Sequence, residues 1–124
     1  MLTIRREQMQ VLERDFRSRS IVTHVHTAFP DLCATIGRRE TAEKVKAAVE
    51  EAGSFGFTTH MDVQKFVDLV MVLGGNFWET PEFSWTQEVL NDSSPSRRAF
   101  RATWLADRVI QHLKEKEEES LAII

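Results

Sequence analysis

The chain has 124 residues, 42% of them apolar, and a formal charge of −3. That is the size of one ordinary domain, with enough apolar material for a core of its own. The balance excludes a disordered chain and the global basic field that draws nucleic acid, and a single cysteine, Cys33, excludes an internal disulfide or a multi-cysteine zinc site.

Charge arrives at Arg5 and Arg6, with no signal-peptide core behind it. The longest apolar run, residues 66–73, is interrupted by Asp68 and is too short to cross a bilayer. The expectation is a cytoplasmic protein with no membrane or nucleic-acid partner and no cofactor or metal; periplasmic action stays open.

Helical spacing dominates and strand alternation is weak. A first helix is expected over 3–29, capped by Thr3. Met9, Leu12 and Phe16 form one stripe, and Val22, Val25 and Phe29 another. Read as joined through Arg19, they make one long helix, with a bend or a break near Ser18 as the alternative. Pro30 stops it, since the residue before proline avoids helical angles. Asp31 is expected to cap a short turn over 32–36 that Gly37 closes. The next helix, 40–54, should turn Ala42, Val45, Ala48, Val49 and Ala52 inward, with Gly53 and Gly56 ending it. Glu43, Glu50 and Glu51 read as its solvated face.

Thr59 with Asp62 resembles a capping box. The helix it opens, 60–73, is apolar nearly all round, which marks a central, buried element. Gly74 and Gly75 end it. Thr80 and Pro81 start another helix, with proline where its missing N–H costs nothing; it carries Phe83, Trp85, Val89 and Leu90. Residues 91–95 read as a turn. A last helix begins at Ser94 or Ser96, with Phe100, Trp104, Ile110 and Leu113 as its inner face and Val109 beside it. Residues 114–119 form a charged, fraying tail, and 121–124 an apolar tip. The fold class is therefore all-α: one domain over 1–124, a compact orthogonal bundle of five to six helices around 61–73.

No catalytic constellation stands out. His24 and His26, two residues apart on a helix, point about 200° apart and cannot share a metal. His60 and His112 have no acid at a telling spacing. Cys33 reads as a small buried thiol. Asp68, inside the most apolar helix, reads as a buried structural charge, with Arg5, Arg38 or Arg101 as possible partners. A small enzyme or toxin using Asp68 or Cys33 is the alternative of another class. The best interaction candidate is 76–85, where Phe77, Trp78, Phe83 and Trp85 interleave with Glu79 and Glu82. Aromatic residues favour interface hot spots; the competing reading is that the rings plug the end of the bundle.

Residues 55–70 (Phe-Gly-Phe-Thr-Thr-His-Met-Asp-Val-Gln-Lys-Phe-Val-Asp-Leu-Val), then Leu-Gly-Gly-Asn-Phe at 73–77 and Phe-Ser-Trp at 83–85, resemble a family of small helical proteins of Gram-negative bacteria. Their genes often lie in type VI secretion clusters beside spike or effector genes. The openings Ile-Arg-Arg-Glu-Gln-Met at 4–9 and Ala-Phe-Pro-Asp at 28–31 are similar too. The resemblance runs to about Leu90. It implies an accessory role without catalytic residues: an immunity protein that neutralises a cognate effector, or an adaptor that loads one. The implied partner is that effector or a spike component, and the chain itself would be a monomer or a homodimer. The family pattern would place an acid near the phenylalanine after the glycine pair, where this chain reads Asn76-Phe77-Trp78.

Overall fold

The computed structural model describes residues 5–92, 94, 97 and 99–122, without the side chains of Arg14 and Ala122. The described residues are all-α. They form helices α1 (Arg6–Ala28), α2 (Pro30–Ile36), α3 (Arg38–Ser54), α4 (His60–Leu73), α5 (Thr86–Leu90) and α6 (Arg101–Ala122), with 3-10 turns at Phe77–Glu79 and Pro81–Phe83. None of these helices is long and apolar enough to cross a membrane. The chain divides into two compact units, Met1–Glu51 and Ala52–Ile124.

In the first unit, α1 runs unbroken through Arg17 to Ser20. Thr3, the expected cap, lies outside the described residues. Arg5 takes the N-cap position, and its N–H donates to Gln8 Oε1 at 2.9 Å. Two threonines inside the helix, Thr23 and Thr27, return their hydroxyls to carbonyls one turn earlier, the usual way a mid-helix threonine is satisfied. Phe29 leaves the helical region at φ −129°, ψ 59°, as the following proline demands. Pro30 itself occupies the first turn of α2, so Asp31 lies inside that helix rather than capping it. There its charge faces the free amides of the N-terminus. α2 packs on α1, and Cys33 Sγ reaches Val25 O at 3.6 Å. Gly37, at φ 95°, makes the corner into α3 and accepts a 2.7 Å bond from the buried Thr41 hydroxyl.

The stripes of α1 do not join. Ile21 and Val25 are fully buried, while Met9, Leu12 and Phe16 are 50%, 59% and 74% exposed. At about 100° per residue, Met9 and Val22 stand about 140° apart around the axis. On α3, Val45, Ala48, Val49 and Ala52 are buried as expected, but Ala42 is exposed and Thr41 takes the inward position.

In the second unit α4 packs chiefly on α6. Thr59 caps α4 by accepting from Asp62 N at 3.2 Å. Gly74 ends it at φ 98°, its N–H bonded to Val70 O at 2.8 Å. Phe66 sits at the middle of an aromatic cluster, its ring centre 5.7–6.1 Å from those of Phe55, Phe57, Phe77 and Trp78. Across from it α6 offers Ala102, Leu105 and Val109, all buried. Lys65 Nζ donates to Thr103 Oγ1 at 2.6 Å and ties the two helices at their edge.

Two sequence expectations need correction here. α4 is not buried all round: Met61 and Val72 are 58% and 53% exposed. Between them, at the i+4 and i+7 positions, Lys65 and Asp68 are half-buried. Asp68 is thus a charge on a partly solvated stripe, not a fully buried one. The inner face of α6 is also misphased. Phe100, Trp104 and Ile110 are 71%, 49% and 50% exposed, and Leu113 is half-buried. The face that turns in follows Arg101, which is only 6% exposed, through Leu105 and Val109.

Candidate interaction surface

Arg101 shapes this part of the molecule. Its Nη1 donates to Leu90 O at 2.8 Å and Asp92 O at 3.0 Å, and its Nη2 donates to Phe55 O. Its guanidinium carbon lies 4.3 Å from the centre of the Phe57 ring. A planar fork can serve three carbonyls at once, and a desolvated guanidinium needs such partners. The result joins the loop before α4, the end of α5 and the start of α6. Phe100 and Trp104, before and after Arg101 in the sequence, are 71% and 49% exposed.

Those two rings help to line a cleft of about 460 Å³, together with Glu88, Val89, Asp92, Arg97 and Arg101. Arg97 Nη1 lies 3.4 Å from Asp92 Oδ2, and Asp92 Oδ1 accepts from Ser94 N at 2.9 Å, so this carboxylate is held in place. Glu88 also lines the cleft and is exposed. Arg108 approaches the Trp104 ring at 5.7 Å. Its lining combines Val89 and two accessible rings with acidic and basic side chains. That composition suits the capture of another protein's side chains.

The predicted aromatic segment divides between core and surface. Phe77, Trp78 and Phe83 are 1%, 8% and 7% exposed, so these three pack in the core. Phe77 and Trp78 meet edge to face at 5.1 Å and 82°, and Trp78 meets Phe55 at 5.1 Å and 84°. Gln87 Nε2 donates to Trp78 O at 2.7 Å and holds the 3-10 turn against α5. A sequence this rich in rings near a glycine pair closes the end of an apolar helix, and the burial of ring area outweighs display.

Glu79, Glu82 and Trp85 stay reachable. Glu82 Oε1 lies 2.9 Å from Lys116 Nζ and 3.1 Å from His112 Nε2. The hydrogen bond from Lys116 comes first, and that from His112 second, in holding the Glu82 carboxyl below the usual glutamate range. The Phe83 ring meets the His112 ring at 5.3 Å and 72°. Trp85 lines a shallow groove with Arg108, Gln111, His112 and Glu115. The Glu82 side of the segment is therefore engaged by α6, and the open aromatic surface lies instead at Phe100 and Trp104. These two were read from the sequence as inner-face residues. Spacing carries no warning of this, because residues three apart share one face of a helix.

Cys33, His24 and His26 belong to the first unit. Cys33 is buried at 3% exposure in the first unit, its thiol directed at a carbonyl. His24 and His26 are half-buried on α1. Among the described residues no three His, Cys, Asp or Glu side chains gather closely enough to hold a metal ion. No family model, curated protein or solved structure matches the chain.

Proposed function

We propose that this chain works by binding another protein: an accessory factor of a type VI secretion cluster, acting as an immunity protein that binds and neutralises a cognate effector. The observation that carries the binding role is the cleft between α5 and the start of α6, where Phe100 and Trp104 stand 71% and 49% exposed among charged lining residues. Large accessible rings bordered by charge give an anchor that desolvates on contact and a rim that sets register. The secretion context rests on the sequence resemblance alone.

The test is co-expression with the product of the neighbouring effector gene. The expected outcome is a co-purifying complex and relief of toxicity. Replacing Phe100 and Trp104 together by alanine should weaken binding about thirtyfold or more, as for a lost hot spot of roughly 2 kcal/mol, with an unchanged melting temperature. Failure to bind any neighbouring product, with no relief of toxicity, overturns the proposal. A complex whose loss stops effector export without exposing the cell to toxicity assigns the adaptor role instead.

A further inference from the structure

The N-terminal half of α1 carries an apolar surface of its own. Met9, Leu12 and Phe16 follow i, i+3, i+7 spacing and are 50%, 59% and 74% exposed. They point away from the side on which Ile21 and Val25 are buried. The spacing is that of a two-helix seam, with Arg5 continuing it one turn earlier. Arg6 and Glu13 border the stripe on one side, Gln8 and Asp15 on the other, and all four are exposed.

We propose that a second copy of this chain covers the stripe, its α1 antiparallel to the first, with Met9 of each protomer against the partner's Leu12. The charge pattern selects the occupant and the register. In an antiparallel helix pair each flank meets the same flank of the partner. The Met9–Leu12 register sets Arg6 against the partner's Glu13, and Glu13 against the partner's Arg6. It places Gln8 beside the partner's Asp15, and the Phe16 ring beside the partner's Arg5, a cation over an aromatic face. Sliding by one heptad, so that Leu12 meets the partner's Phe16, brings Glu13 to the partner's Glu13 and Asp15 to the partner's Asp15. A parallel pair stacks Arg5 on the partner's Arg5 and leaves Gln8, not a base, beside the partner's Glu13. Of these arrangements the first alone pairs opposite charges on both sides of the two-fold axis.

The seam is about two heptads long, which puts it at the small end of specific interfaces. The pairing is therefore concentration dependent, and sedimentation equilibrium of the full chain over roughly 1 to 500 µM spans the range such interfaces occupy. The expected result is a shift from the 14.3 kDa protomer to twice that mass. Leu12→Asp stays monomeric. Glu13→Arg, which sets Arg6 against a like charge, raises the dissociation constant about tenfold or more. The double change Arg6→Glu with Glu13→Arg restores most of the wild-type affinity. All three positions are exposed, so matching thermal melts confirm that each variant folds. A wild-type chain that is monomeric throughout overturns the proposal. So does a dimer indifferent to Leu12→Asp, or a charge swap that fails to recover affinity.

Discussion

The Arg101 guanidinium lies 4.3 Å from the centre of the Phe57 ring while its Nη2 donates to the carbonyl of Phe55, two residues earlier. One side chain thus satisfies a loop carbonyl and covers the ring beside it. Close packing reaches the backbone too: a methyl group added at Gly56 would stand 3.4 Å from Arg101 Nη2. Replacing Arg101 by alanine leaves the carbonyls of Phe55, Leu90 and Asp92 without this donor and opens a void. The expected loss is about 3 kcal/mol or more, read by urea denaturation. Lysine should recover only part of it, because a single ammonium cannot span the fork.

Phe66 is 1% exposed at the middle of four aromatic rings. Phe66→Ala removes its transfer energy and leaves a cavity those rings cannot readily fill. A cost of roughly 3–5 kcal/mol is expected, visible as a large drop in melting temperature. An unchanged melt would contradict the central role of α4 in its unit.

Two glycines should respond with opposite signs. Gly74 sits at φ 98° and ψ 163°, a region almost closed to other residues. A methyl group there meets nothing within 4 Å, so the cost is conformational alone. Gly74→Ala should destabilise by about 1–3 kcal/mol. Gly53 lies inside α3, also with open space around it. Gly53→Ala should stabilise by roughly 0.5–1 kcal/mol through helix propensity. Thermal melts of the two variants separate these effects.

Glu82 gives the pH dependence its sign. Its carboxyl is held below the ordinary value of 4.5 by the bonds from Lys116 and His112. The folded state therefore binds this proton less readily than the unfolded chain. The contribution is present above pH 4.5 and is lost as pH falls through the lowered folded value. Glu82→Gln should lower the melting temperature slightly at pH 7, with the gap to wild type closing in acid. Because the group is exposed, the gap should also shrink in high salt.

Much of the fold was legible from local chemistry. Pro30, Gly37, Thr59 and Gly74 mark helix ends through backbone restrictions that act within a few residues, and the all-α class follows from periodicity. The phase of the outer faces was not legible. Met9, Leu12 and Phe16 have the spacing of a core stripe but stand exposed, and Phe100 and Trp104 line a cleft. In the candidate interaction segment, Phe77, Trp78 and Phe83 turned out to be core.

By itself the sequence determined where helices start and stop, and that an apolar helix ending in a glycine pair must be covered. Steric limits on φ and ψ and the period of 3.6 are properties of the local chain. Only the tertiary structure decided which way each helix turns about its own axis. That choice depends on partners elsewhere in the chain: the carbonyls of Phe55, Leu90 and Asp92 hold Arg101 inward, while Phe100 and Trp104 stay exposed. A charged residue is inward only when the fold supplies its acceptors, and no spacing rule reports where those acceptors will be.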